Sequence, residues 1–185
     1  NPEDAIKWGL YSFKAQSGTD FTSKLIHKSI CANGGGTYAN GKLYFTSYYE
    51  GMDGNLGYLY FCVLDLATMN MNQIALHSDY YTSIATDMTY DPVGNTIYSQ
   101  AYPDDANTST DWKYTLSTVN PATGIASRIA QLDRMSMIAC DESGNLYGVR
   151  YNDGMFCSID KQTAKVKEIG LTGVNPKYNA SGTFD

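Results

Sequence analysis

The chain has 185 residues, of which 43% are hydrophobic and 17% charged, a balance that excludes a disordered or fibrous protein and allows a sizeable core. Lys and Arg number 13 against 19 Asp and Glu, a formal net charge of −6, so the surface repels phosphate backbones and nucleic acid is not an expected partner. No run of about 18 apolar residues occurs, so no transmembrane segment is expected, and 16 tyrosines with 17 glycines favour short strands and turns.

Two strands are expected first, over Trp8–Gln16 and Thr22–His27. They read as the outer half of a blade spanning about residues 1–30. A whole four-stranded unit follows over 35–76, with its first turn at Ala39-Asn40-Gly41. The next covers 84–132, with strands at Ile84–Tyr90, Thr96–Tyr102, Tyr114–Asn120 and Ile125–Leu132. The third covers 137–173, with strands at Met137–Cys140, Asn145–Arg150, Met155–Asp160 and Lys165–Gly170. Residues 179–185 match the approach to Asp91 and Asp141 and start another blade.

The units are copies of one sentence. Gly41-Lys42-Leu43-Tyr44-Phe45, Gly94-Asn95-Thr96-Ile97-Tyr98 and Gly144-Asn145-Leu146-Tyr147-Gly148 are its first phrase. Cys62–Thr68, Ser117–Gly124 and Cys157–Thr163 are its second. Tyr44, Tyr98 and Tyr147 stand 54 and 49 positions apart, a period that predicts an all-β β-propeller of four-stranded antiparallel blades. Leu43, Ile97 and Leu146 follow the turn within two or three residues and are expected to be buried between blades. A closed ring takes at least about four blades. The chain therefore reads as an incomplete part of a larger propeller, its ring closed by missing chain or by another subunit. The less favoured reading is a small ring closed by its own N-terminal strands.

In such a blade the tight turns share one face, and the longer, uneven loops share the other. The second face is the expected binding surface. Its candidate ligand-binding residues are Tyr48, Tyr49 and Asp53 in the first copy, then Tyr80 and Tyr81 in a blade connection. Tyr102, Asp104, Asp105 and Trp112 follow in the second copy, and Tyr151 and Asp153 in the third. Aromatic, acidic and amide groups together suit a sugar ring or a protein partner. Asp104, Asp105, Asn107 and Asp111 lack calcium-loop spacing, so a solvated acidic loop is expected there and no metal.

No nucleophile elbow, zinc-protease helix or phosphate loop is present, so no catalytic residue is assigned and no cofactor is expected. His27 and His77 read as exposed edge residues. Cys31, Cys62, Cys140 and Cys157 form no CxxC pair and are expected as free thiols, although Cys140 and Cys157 share a repeat and are close enough in sequence to meet.

The phrases Asp87–Tyr98 and Ile159–Gly173 resemble propeller modules of secreted or surface proteins from Bacteroidetes-type bacteria, often found beside adhesin-like or immunoglobulin-like modules. Lys161-Gln162-Thr163-Ala164 departs from that pattern by lacking the Gly that ends the usual turn. The resemblance implies a secreted, cell-surface or periplasmic recognition or scaffold module and carries over no catalytic residue. The competing expectations are a propeller-type lyase or glycoside hydrolase with carboxylates near the central channel, and a structural spacer.

Overall fold

The computed structural model describes residues 9–13, 22–28, 34–50, 56–76, 85–101, 114–174, 176 and 181–184. The chain divides into two units, Asn1–Ala32 and Asn33–Asp185. In the first, β1 (Gly9–Phe13) and β2 (Ser23–Lys28) form an antiparallel pair with a bulge at Leu10/Tyr11. His27 is half-buried there rather than exposed, because β1 runs alongside it with Leu10 directly opposite.

The second unit consists of three antiparallel meanders. The first is β3 (Gly36–Ala39), β4 (Lys42–Glu50), β5 (Leu56–Asp65) and β6 (Met71–Leu76). The second is β7 (Ala85–Asp91), β8 (Thr96–Ala101), β9 (Tyr114–Val119) and β10 (Ala126–Leu132). The third is β11 (Met135–Cys140), β12 (Leu146–Arg150), β13 (Met155–Ile159) and β14 (Val166–Leu171). No helix occurs among the described residues, and inner strand β7 lies beside both β3 and β11. These are β-propeller blades, and the three described make an incomplete propeller.

Turn chemistry explains the strand ends. Asn40 and Gly41 both have positive φ, at 51° and 79°, the backbone of a two-residue hairpin turn. The turn between the third and fourth strands repeats one device: Asp65, Asn120 and Asp160 each accept, through the side chain, the N–H two residues on. Each such turn ends on a left-handed residue: Met69, Gly124 and Ala164. Gly124 has a second reason to be glycine, since a Cβ there would overlap Phe61 of the first blade. The equivalent pair one blade on is Leu116 and Ala164, a smaller ring-side residue facing a larger turn residue.

Strand alternation sends one face of each blade backward and the other forward. Ile97 packs with Phe61, Ala85, Met88 and Val119 between the first two blades. Leu146 packs with Leu116, Leu132, Met135, Ile138 and Ile159 between the second and third. Tyr44 and Tyr98 cover the same clusters from the opposite side, while Tyr147 stacks on Phe156 and meets Phe184, both at 5.4 Å. Leu43 is only half-buried, against expectation, because no blade precedes the first within this unit.

The first copy also corrects a loop. Tyr48 and Tyr49, expected on a long loop, belong instead to β4, with Tyr49 opposite Tyr58. The hairpin is therefore longer than its counterparts, since strand-forming residues continue on both arms. Cys62, Cys140 and Cys157 are free thiols, and Cys31 lies outside the described residues.

Candidate functional site

On the long-loop face, Asp53, Tyr80, Tyr81, Tyr102, Asp104, Asp105 and Trp112 lie outside the described residues, as do Asn107, Asp111 and His77. The backbones of Tyr48 and Tyr49 are described as strand, but not their side chains. Tyr151 and Asp153 are the two candidates whose surroundings are visible, and they sit in the turn between β12 and β13.

That turn is tied to the blade connection before β11. The Tyr151 N–H donates to the Arg134 carbonyl at 2.9 Å, which brings the two side chains together. The Arg134 guanidinium lies 3.5 Å from the Tyr151 ring centroid and 5.4 Å from that of Tyr114 at the start of β9. A cation facing two aromatic rings is a compact, stiff recognition element. Beside it, Arg150 forks onto Asp153, with Nη2 at 2.6 Å, and donates to Glu168 at 2.7 Å. The guanidinium holds the Asp153 carboxyl below the usual carboxylate range, and Asp153 in turn raises Arg150. The sequence pattern thus puts Tyr151 and Asp153 on one face but misses Tyr114, Arg134 and Arg150. No spacing announces them, because strand register brings Met135 opposite Arg150.

Between the second and third blades, polar side chains clamp the inner strands. Gln100 Oε1 accepts the Met135 N–H at 2.6 Å, and its Nε2 donates to the Met135 carbonyl at 2.9 Å and to Thr86 Oγ1 at 2.8 Å. Asp87 accepts the Met88 N–H at 3.0 Å and the Ile138 N–H at 2.8 Å, and the Ser181 hydroxyl at 3.4 Å. Thr89 accepts the Cys140 N–H at 2.8 Å. Burial pushes the Asp87 carboxyl up to about 7 despite these donors. The same burial raises the Cys140 thiol to about 12, so it is inert as a nucleophile near neutral pH.

On the tight-turn face, Lys161 donates to Asp91 Oδ2 and to the Gly144 carbonyl, both at 2.6 Å. Burial pushes the fully buried Asp91 carboxyl up, but the N–H groups of Gly94 and Val93 and the Lys161 ammonium outweigh it and hold it below the ordinary value. Replacing Lys161 with Met leaves this carboxylate with its backbone donors alone. The substitution should cost about 1–2 kcal/mol near neutral pH, measured by denaturant unfolding. An unchanged midpoint there would show the pair to be energetically idle.

The described carboxylates are thus largely engaged in the fold. Asp65 is held down by the Thr68 N–H, Asp141 by the Asn145 side chain, and Asp160 by the Thr163 hydroxyl. Among the described residues, no helix is long and apolar enough to cross a membrane.

No family model and no curated protein matches the chain. Several solved structures do. A gluconolactonase from Xanthomonas campestris is 12% identical, with a TM-score of 0.50 over 83% of this chain and 56% of its own. The β-propeller domain of the trilobed protease from Pyrococcus furiosus, described as having an open velcro topology, is 12% identical, with a TM-score of 0.47 over 77% of this chain and 42% of its own. A Bacteroides thetaiotaomicron protein of unknown function is 16% identical, with a TM-score of 0.48 over 81% of this chain and 34% of its own. At these identities the likeness concerns the fold alone, and the chain spans roughly a third to just over half of each structure's length.

Proposed function

We propose that the chain is a non-enzymatic recognition module, binding a protein or glycan through its long-loop face in a secreted, cell-surface or periplasmic setting. The observation that carries this reading is the half-buried Arg134–Tyr151 pair on that face, backed by the buried ring of Tyr114. Arg and Tyr dominate the energetics of recognition surfaces, and this guanidinium is already oriented by its rings. The engagement of the described carboxylates in turns and ion pairs favours binding over acid–base chemistry.

The competing reading, a propeller-type lyase or glycoside hydrolase, has one observation in its favour. Asp87 lies on an inner strand with its carboxyl raised to about 7, the range of a general acid. Both its oxygens, however, already accept backbone N–H groups, which suits a structural tie.

A glycan-array screen of the chain and of Arg134→Ala tests the proposal. Binding that weakens about tenfold in the variant is the expected result, the scale of losing one arginine anchor of a recognition surface. Undiminished binding by Arg134→Ala would move recognition away from this cluster. A blank array would remove the glycan half of the reading.

A further inference from the structure

We propose that the cleft between the first and second blades, on the tight-turn face, is a second binding site and takes a neutral saccharide. It is independent of the long-loop-face reading and rests on a comparison of two junctions within the same molecule.

At the junction of the second and third blades, this cleft is filled by the Asp91–Lys161 pair, with Lys161 5.9 Å from the Tyr98 ring centroid. Strand register and the repeated turn identify the equivalents one blade earlier. Ala39, opposite Lys42, stands where Asp91 stands opposite Thr96. Pro121 follows Asn120 as Lys161 follows Asp160 in the matching turn, and Tyr44 takes the place of Tyr98. Both halves of the clamp are therefore missing at once, and the cleft stays open.

The open cleft holds about 410 Å³, within the range of small-ligand sites. Asn40, Tyr44, Tyr90, Asn95, Asn120 and Pro121 shape it, and no charged side chain lines it. An adjoining hollow of about 250 Å³ shares Tyr44 and Pro121 and extends past Asn70 and Asn72, where one residue of each charge, Lys42 and Asp65, lines it.

The lining chemistry selects the ligand class. The main cleft is uncharged and the adjoining hollow carries one cation and one anion, so neither gives a net Coulomb advantage to a phosphate, a carboxylate or an ammonium group. Amides and hydroxyls both donate and accept, as sugar hydroxyls do. The Asn40 amide donates to Tyr90 Oη at 3.2 Å, and that hydroxyl donates to Asn95 Oδ1 at 2.8 Å. The chain of three fixes both amides and leaves Asn40 Oδ1 and Asn95 Nδ2 without a partner among the described residues. Asn40 and Asn95 are further held by left-handed backbone, at φ of 51° and 47°. Tyr44 and Pro121 supply apolar surfaces for the C–H face of a pyranose.

The test titrates the 185-residue chain with cellotriose, maltotriose, xylotriose and mannotriose, and with trigalacturonate as a charged counterpart, by NMR and calorimetry. At least one neutral trisaccharide should saturate and shift the Asn40, Tyr44 and Asn95 signals. Ala39→Asp with Pro121→Lys rebuilds the clamp and should weaken that binding tenfold or more, with no loss of thermal stability. Asn40→Gly, which keeps the left-handed turn, should weaken it several-fold, and it carries the test if the double variant does not fold. The proposal is overturned if none of the four neutral sugars saturates, if trigalacturonate binds tightest, or if the folded clamp variant or Asn40→Gly binds as the unaltered chain does.

Discussion

Truncating Leu146 to Ala is expected to destabilise the protein by about 2–5 kcal/mol, the span seen for fully buried leucines. Leu146 is 2% exposed and touches residues of two blades, so the cavity opens at a junction that both blades hold rigid. For a chain of this length the melting temperature should fall by roughly 5–15 °C. Leu43 supplies the internal control. It occupies the same slot but is half-buried, so Leu43→Ala should cost no more than about 1 kcal/mol. Equal losses at the two sites would show that blade-to-blade packing does not govern this position.

Stability should also fall as pH rises from about 4 to 7, the reverse of the usual acid limb. Asp87 is responsible. Its carboxyl titrates near 3.8 when unfolded and is pushed up to about 7 by burial in the folded chain. Between those values the native state holds a proton that the unfolded state has released, so each step upward in pH favours unfolding. Above about 7 both states are ionised and the slope vanishes. The full swing is at most about 4 kcal/mol, since the rise spans roughly three tenfold gains in proton affinity at about 1.4 kcal/mol each. Asp65, Asp91, Asp141, Asp153 and Asp160 are all shifted down, so their contributions are complete above the ordinary carboxylate range and fade only below it. Urea unfolding from pH 4.5 to 7.5 reads the slope, and Asp87→Asn should flatten it. A free energy that rises through this window would contradict the assignment.

Blade pattern was legible in the sequence because it is local. The Asn40-Gly41 turn, the Asp65, Asn120 and Asp160 caps and the strand alternation each depend on a few neighbouring residues. Junction chemistry was not. Asp91 and Lys161 are 70 positions apart and Gln100 and Met135 are 35 apart, and nothing in either segment names its partner. Leu43, Ile97 and Leu146 read alike, yet their burial differs because a neighbouring blade, not their own strand, decides it. The candidate site was legible only as far as Tyr151 and Asp153. The Arg134 that faces Tyr151 comes from a different connection. The open cleft was overlooked for a related reason. Ala39 and Pro121 look unremarkable until their counterparts in the next repeat are seen to be an ion pair.

The three contacts that Gln100, Asp87 and Thr89 make with β11 change what counts as a cooperative unit. The amides of Met135, Ile138 and Cys140 face away from their own sheet and end on side chains of the preceding one. Their hydrogen exchange therefore reports the parting of two blades, whereas the amides of β13 report the loss of one. Where a β-sheet edge would normally invite a foreign strand, this edge is already occupied by three residues whose own strands lie in another sheet. The third blade cannot fray inward from β11 without first breaking these bonds to the second.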